Sequence, residues 1–188
     1  MADDTFTFKS GLTVRIRRVD PRFVAKVATS ARARFKREHG EPECPTYEVK
    51  TAGGDVEIHQ HDETTVTEPR WKADAELQQK WREYTRLDNG LRSYEITETV
   101  RAIAIEGVLD EPGQEWIEKC AYYEIELPEN PRDRKWDWIC DIAPSFPERY
   151  RLAIAIQRVD DPVEATAQAA VESFRHQLGQ KADTAQRD

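Results

Sequence analysis

Between Pro69 and Pro112 the apolar residues recur every three or four positions, and this stripe commits the chain to a mainly helical class. Leu77, Trp81, Tyr84, Leu87, Leu91 and Tyr94 fall on one side of a 3.6-residue period, and Ile96, Val100, Ile103, Ala104 and Gly107 continue it on a rotated face. The pattern predicts one long helix over about 70–109. Asp88-Asn89-Gly90 would make a good turn elsewhere, so a bend or interruption is expected near Gly90.

Shorter elements flank this helix. In TFTFKSGLTVRIR, period-2 apolar residues on both sides of Ser10-Gly11 predict a β-hairpin. Asp20 as cap and Pro21 at the first position open a helix that carries Lys26, Arg32, Arg34, Lys36 and Arg37 and stops at Gly40. A proline loop, EPECP, leads to a second hairpin with Gly53-Gly54 at its tip. After the long helix come short helices with clear start signals. Glu111-Pro112 opens one with Trp116, Ile117 and Cys120, and Asn130-Pro131 opens the next with Trp136, Ile139 and Cys140. Ser145 and Glu148 have capping-box spacing ahead of LAIAI, and Asp161-Pro162 opens a last helix with Val163, Ala167, Ala170, Phe174 and Leu178.

The fold class expected is therefore α+β, mainly α: an N-terminal β-hairpin and helix, a second acidic β-hairpin, then a long helix and a bundle of short helices. In serial order the parts are 1–40, 41–68, a helical domain over 69–180, and a flexible tail over 181–188. Trp116, Ile139 and Ile154 are expected core positions on adjacent short helices.

The chain of 188 residues is 38% hydrophobic and 34% charged, with a mean hydropathy of −0.80. No apolar run reaches the roughly 20 residues of a bilayer span, and MADDTFTFKS has neither the basic start nor the apolar stretch of a secretory signal. The expected residence is the cytosol, without membrane association. Cys44, Cys120 and Cys140 form no CxxC pair, and reduced structural thiols are expected. The net charge of −8 is uneven: residues 1–40 carry ten Lys/Arg and four Asp/Glu, whereas residues 41–69 carry Lys50 against eight acids. A basic head beside an acidic arm either binds nucleic acid or pairs its two charges internally or with a partner. The acidic total argues against nucleic acid.

The segment PTYEVKTAGGDVEIHQHDE, residues 45–63, comes closest to a chemical motif. Alternation places Val56 and Ile58 on one face of its second strand and Glu57, His59 and His61 on the other. Two histidines with Glu57 and Asp62 nearby fall short of a closed ligand shell, so they are expected on the solvent face with no metal. The chain has no GxSxG and no Gly-rich loop before a helix. The expectation is a non-enzyme with no catalytic residue and no cofactor. Trp136 and Trp138 flank Asp137 and point in nearly opposite directions on a helix, so one enters the core while the other stays partly exposed.

The order of these parts resembles the tail-assembly chaperones of long-tailed bacteriophages and related proteins of the same tail gene clusters. The likeness runs over roughly residues 5–175 and is carried by PTYEVKTAGGDVEIHQHD, the Gly-Val that ends the long helix and ELPENPRDRKWDWI. It implies a small non-enzymatic factor in the host cytoplasm that binds the tape-measure protein and assists the tail-tube protein to polymerise around it. Trp81, Tyr84 and Trp138, large aromatics on charged segments, are the expected partner-binding residues. The acidic hairpin is expected to serve solubility and the rejection of wrong partners. A structural virion component and a small nucleic-acid-binding or regulatory phage protein are the alternatives.

Overall fold

A computed structural model describes residues 4–159. The fold is α+β and mainly helical. Strands β1 (Asp4–Thr7) and β2 (Thr13–Ile16) pair antiparallel, helix α1 spans Pro21–His39, and strands β3 (Thr46–Lys50) and β4 (Val56–Gln60) form a second antiparallel hairpin. A 3-10 turn (Thr65–Thr67) and the single turn α2 (Pro69–Lys72) lead into α3 (Ala75–Gly107), followed by α4 (Gln114–Tyr122), α5 (Pro131–Ile142) and α6 (Phe146–Arg158). The helix expected over 163–178 and the tail over 181–188 lie outside the described residues.

The described chain forms two compact units that do not follow the serial division of the sequence: residues 4–24 with 100–159, and residues 25–99. The first unit has its core between hairpin β1–β2, the end of α3, α5 and α6. Val14, Val108, Ile139, Leu152 and Ile156 are its largest fully buried side chains. The last turn of α3 runs into a bridge from Ile16 to Val108, with the Arg17 amide donating to the Gly107 carbonyl at 2.8 Å and the Leu109 amide to the Arg15 carbonyl at 2.9 Å. Asp110 clamps the same strand. Its carboxylate accepts from the Arg15 amide at 2.6 Å and from Arg15 Nε at 2.9 Å. Buried Lys135 on α5 closes the junction by donating to the Val108 carbonyl at 2.7 Å and to Glu111 at 2.8 Å.

Two of the local start signals operate as the sequence suggests, whereas α4 starts at Gln114 behind Gly113 rather than at Glu111-Pro112. Asn130 Oδ1 accepts from the Arg132 amide at 3.0 Å and Asp20 Oδ1 from the Arg22 amide at 2.8 Å, each satisfying a first-turn donor that the helix leaves unpaired. The box at Ser145 does not close. Ser145 makes no side-chain cap bond, and Glu148 is buried instead, accepting from the Lys9 amide in the β1–β2 turn at 2.8 Å.

Of the three expected core positions in this unit, Ile139 is in the core and the other two are not fully buried. Ile139 is fully buried, Trp116 is half-buried with its indole N–H donating to Asp141 at 3.1 Å, and Ile154 is only half-buried. Leu152 and Ile156, two residues to either side of Ile154, face the core. Trp138 is the buried tryptophan of α5, adjacent to Ile139 and in step with Lys135 on the same helical stripe. Trp136 is the half-buried one, with the guanidinium groups of Arg101 and Arg149 5.9 and 5.7 Å from its ring centroid.

In the second unit α3 passes through Gly90 without a break. The glycine serves close packing rather than a turn: a Cβ there would lie 3.0 Å from the ring tip of Phe35 on α1. Around this crossing the Phe35 and Tyr94 rings are 5.9 Å apart, Arg32 pairs with Glu95 at 2.5 Å and Arg34 with Glu98 at 3.6 Å. Arg32 and Arg34 of α1 are therefore met by acids of α3, and Glu41 in the acidic loop pairs with Lys36.

Candidate functional site

The second unit holds a cleft of about 820 Å³ between the proline loop, strand β3 and the first half of α3. Its aromatic lining is Tyr47, His61, Trp71 and Tyr84, and Cys44, Leu77 and Leu87 add apolar surface. Tyr47 comes from β3, which pairs it with His59 across the hairpin. His61 follows β4, and its amide donates to the Pro45 carbonyl at 2.8 Å. Trp71 sits on α2. Gln78 of α3 ties this turn down by donating to the Val66 carbonyl at 2.9 Å and the Trp71 carbonyl at 3.4 Å.

These rings form one cluster. Tyr47 and His61 have centroids 4.6 Å apart, His61 and Trp71 are edge-on at 5.2 Å, and Tyr47 and Trp71 lie at 5.8 Å. Here the expectation of two solvent-facing histidines fails for one of them. His59 is exposed and bonds Glu57 at 3.2 Å, whereas His61 is buried. Every residue of β4 is exposed, Ile58 at 73% and Val56 at 51%, and burial begins only at His61 past the end of the strand. Alternation groups residues by face but does not say which face is covered. Among the described residues no three His, Cys, Asp or Glu side chains group to hold a metal ion.

Burial lowers the His61 pKa. The Asp62, Glu68 and Asp74 charges raise it in opposition, and Arg70 lowers it further. The imidazole is thus neutral at neutral pH. Its Nδ1 has no hydrogen-bond partner among the described residues, and neither has the Trp71 indole N–H. Burial pushes the Cys44 thiol and the Tyr84 phenol up, so both stay protonated near neutrality. The cleft offers hydrogen-bonding and stacking groups in place of an activated nucleophile.

A folded pKa below the unfolded one means that unfolding takes up a proton as the pH drops. The His61 contribution is complete above about 6.5, the ordinary histidine value, and is lost as the pH falls through the folded pKa. Thermal unfolding at pH 7.5 and 5.5 should therefore show a loss on acidification that His61→Phe diminishes. An unchanged pH dependence in that variant would contradict the burial of this ring.

Of the residues expected to bind a partner, Tyr84 lines the cleft and Trp81 lies beside it, half-buried, with ring centroids 5.4 Å apart. Trp138 belongs to the other unit and is 7% exposed. It is a core residue rather than an anchor, because it belongs to the same buried cluster as Leu152 and Ile156. Sequence reasoning weighed His61 only as a metal ligand and missed Tyr47 and Trp71, which come from different elements and share no period with it. No protein-family model, curated protein or solved structure matches this chain. No helix among the described residues is long and apolar enough to cross a membrane.

Proposed function

We infer that this chain is a non-enzymatic tail-assembly chaperone of a long-tailed bacteriophage, which binds the tape-measure protein in the host cytoplasm and assists polymerisation of the tail-tube protein. The phage assignment rests on the resemblance of the hairpin and of ELPENPRDRKWDWI. The observation that carries the binding half is the aromatic cleft of residues 25–99, where Tyr47, Trp71 and Tyr84 present ring surface. Clefts lined by aromatics with a few placed polar groups are suited to holding a segment of another molecule, and an amphipathic helix in such a groove is a recurrent mode of recognition.

Co-expression with the tape-measure protein encoded beside it is the test. The wild-type chain should keep that protein soluble, and Tyr84→Glu should abolish the effect while circular dichroism shows an unchanged helical fold. A tape-measure protein that stays insoluble with the wild-type chain overturns the reading. Recovery of this chain at ring stoichiometry from purified virions favours a structural role instead.

A further inference from the structure

Seven charged residues line the cleft, and six are acids: Glu41, Glu43, Glu48, Asp74, Glu76 and Glu83 against Lys80. Three of the six are engaged. Glu41 pairs with Lys36, Glu76 with Lys80 at 2.6 Å, and Asp74 accepts from the Leu77 amide at 2.9 Å. The side chains of Glu43, Glu48 and Glu83 have no hydrogen-bond or ion-pair partner among the described residues. Beneath them His61 is 4% exposed and lines the same cleft with an unpartnered ring nitrogen. A buried polar atom without a partner costs about 1–3 kcal/mol, and a neutral imidazole nitrogen that lacks a proton is relieved by an N–H donor. The ring cluster already takes one cation from its own chain. The Arg70 guanidinium lies 5.2 Å from the Trp71 centroid and 6.0 Å from that of Tyr47, and Arg70 is not among the residues lining the cleft.

The geometry points to a cationic amphipathic peptide segment as the occupant of this cleft, its Lys or Arg side chains held by Glu43, Glu48 and Glu83 and its apolar residues on the Tyr47, Trp71 and Tyr84 rings. The assignment deepens the chaperone reading and rests on it for the identity of the partner. Aromatic faces attract ammonium and guanidinium groups, and unpaired carboxylates at the same cleft add charge-assisted hydrogen bonds. An acidic segment would meet three unneutralised like charges and be rejected.

Two synthetic amphipathic helical peptides distinguish the outcomes, one built of Leu and Lys and the other with Glu at every Lys position. Isothermal titration against the full chain should show binding of the Lys peptide, weakened by added salt, and none of the Glu peptide. The triple variant Glu43→Gln, Glu48→Gln, Glu83→Gln removes three exposed, unpaired charges and should keep the fold. It should bind the Lys peptide about tenfold more weakly, a loss of about 1.4 kcal/mol. Equal affinity for the two peptides, no binding of the Lys peptide, or a triple variant as tight as the wild type overturns the inference. Such a result combined with a solubilised tape-measure protein leaves the chaperone reading standing. Charge-selective peptide binding beside an insoluble tape-measure protein does the reverse.

Discussion

Ile139→Ala should lower the unfolding free energy by about 2–5 kcal/mol, the range for emptying a packed isoleucine site. Ile139 has no exposed surface and lies in one cluster with Val14, Leu152 and Ile156. The surrounding residues come from a hairpin and three helices, so the site cannot collapse by a small shift of one element. Ile154→Ala is the matched control. Ile154 sits on the side of α6 opposite Leu152 and Ile156 and is half-buried, and its truncation should cost well under the Ile139 loss. Urea unfolding of both variants measures the difference. Equal losses would mean that α6 is rotated from the phase described.

The second large effect is expected at Gly107. A Cβ there would fall 2.5 Å from Cγ2 and 2.7 Å from Cδ1 of Ile156, and Ile156 is fully buried and has no room to withdraw. Overpacking of this kind costs about 1–3 kcal/mol, so Gly107→Ala should destabilise despite the better helix propensity of alanine. The same change at Gly90 should cost less. There the near atom is the tip of the Phe35 ring at 3.0 Å, and alanine in a helix interior gains up to about 1 kcal/mol over glycine. A double-mutant cycle isolates the cause. With Ile156→Ala removing the clashing carbons, the double variant should lose less than the sum of the singles. Strict additivity would place the cost of Gly107→Ala elsewhere.

The contrast between these two glycines shows how much of the fold is legible in the chain itself. Caps such as Asn130 and Asp20 can be read because donor and acceptor lie two residues apart. The long helix can be read because its period repeats over many turns. Gly90 and Glu148 are misread for the opposite reason. Phe35 is far from Gly90 in sequence, and the amide that Glu148 meets is 139 residues away, so local chemistry points to a turn and a capping box that do not form. His61 and Trp138 fail in a related way. Periodicity sorts residues into faces correctly, but which face is covered depends on elements elsewhere in the chain. Tyr84 could be anticipated in the cleft because it stands on a periodic helix. Tyr47 and Trp71 could not, since the hairpin and α2 bring them together only after folding.

The bond between Glu148 and the Lys9 amide joins the first hairpin to the last described helix, and it sets an order of events on the ribosome. Residues 25–99 form a contiguous unit, and every contact within it is available once that stretch has emerged. The other unit is split, and Phe8, Val14, Ile16 and Val19 bury themselves against residues of α3, α5 and α6. An isolated two-stranded hairpin is marginal in water. At about 5–20 residues per second, roughly 7–28 s separate the synthesis of Ile16 from that of Ile156. Through that interval the apolar face of the hairpin is incompletely covered, and α6, made well after it, closes the core around it.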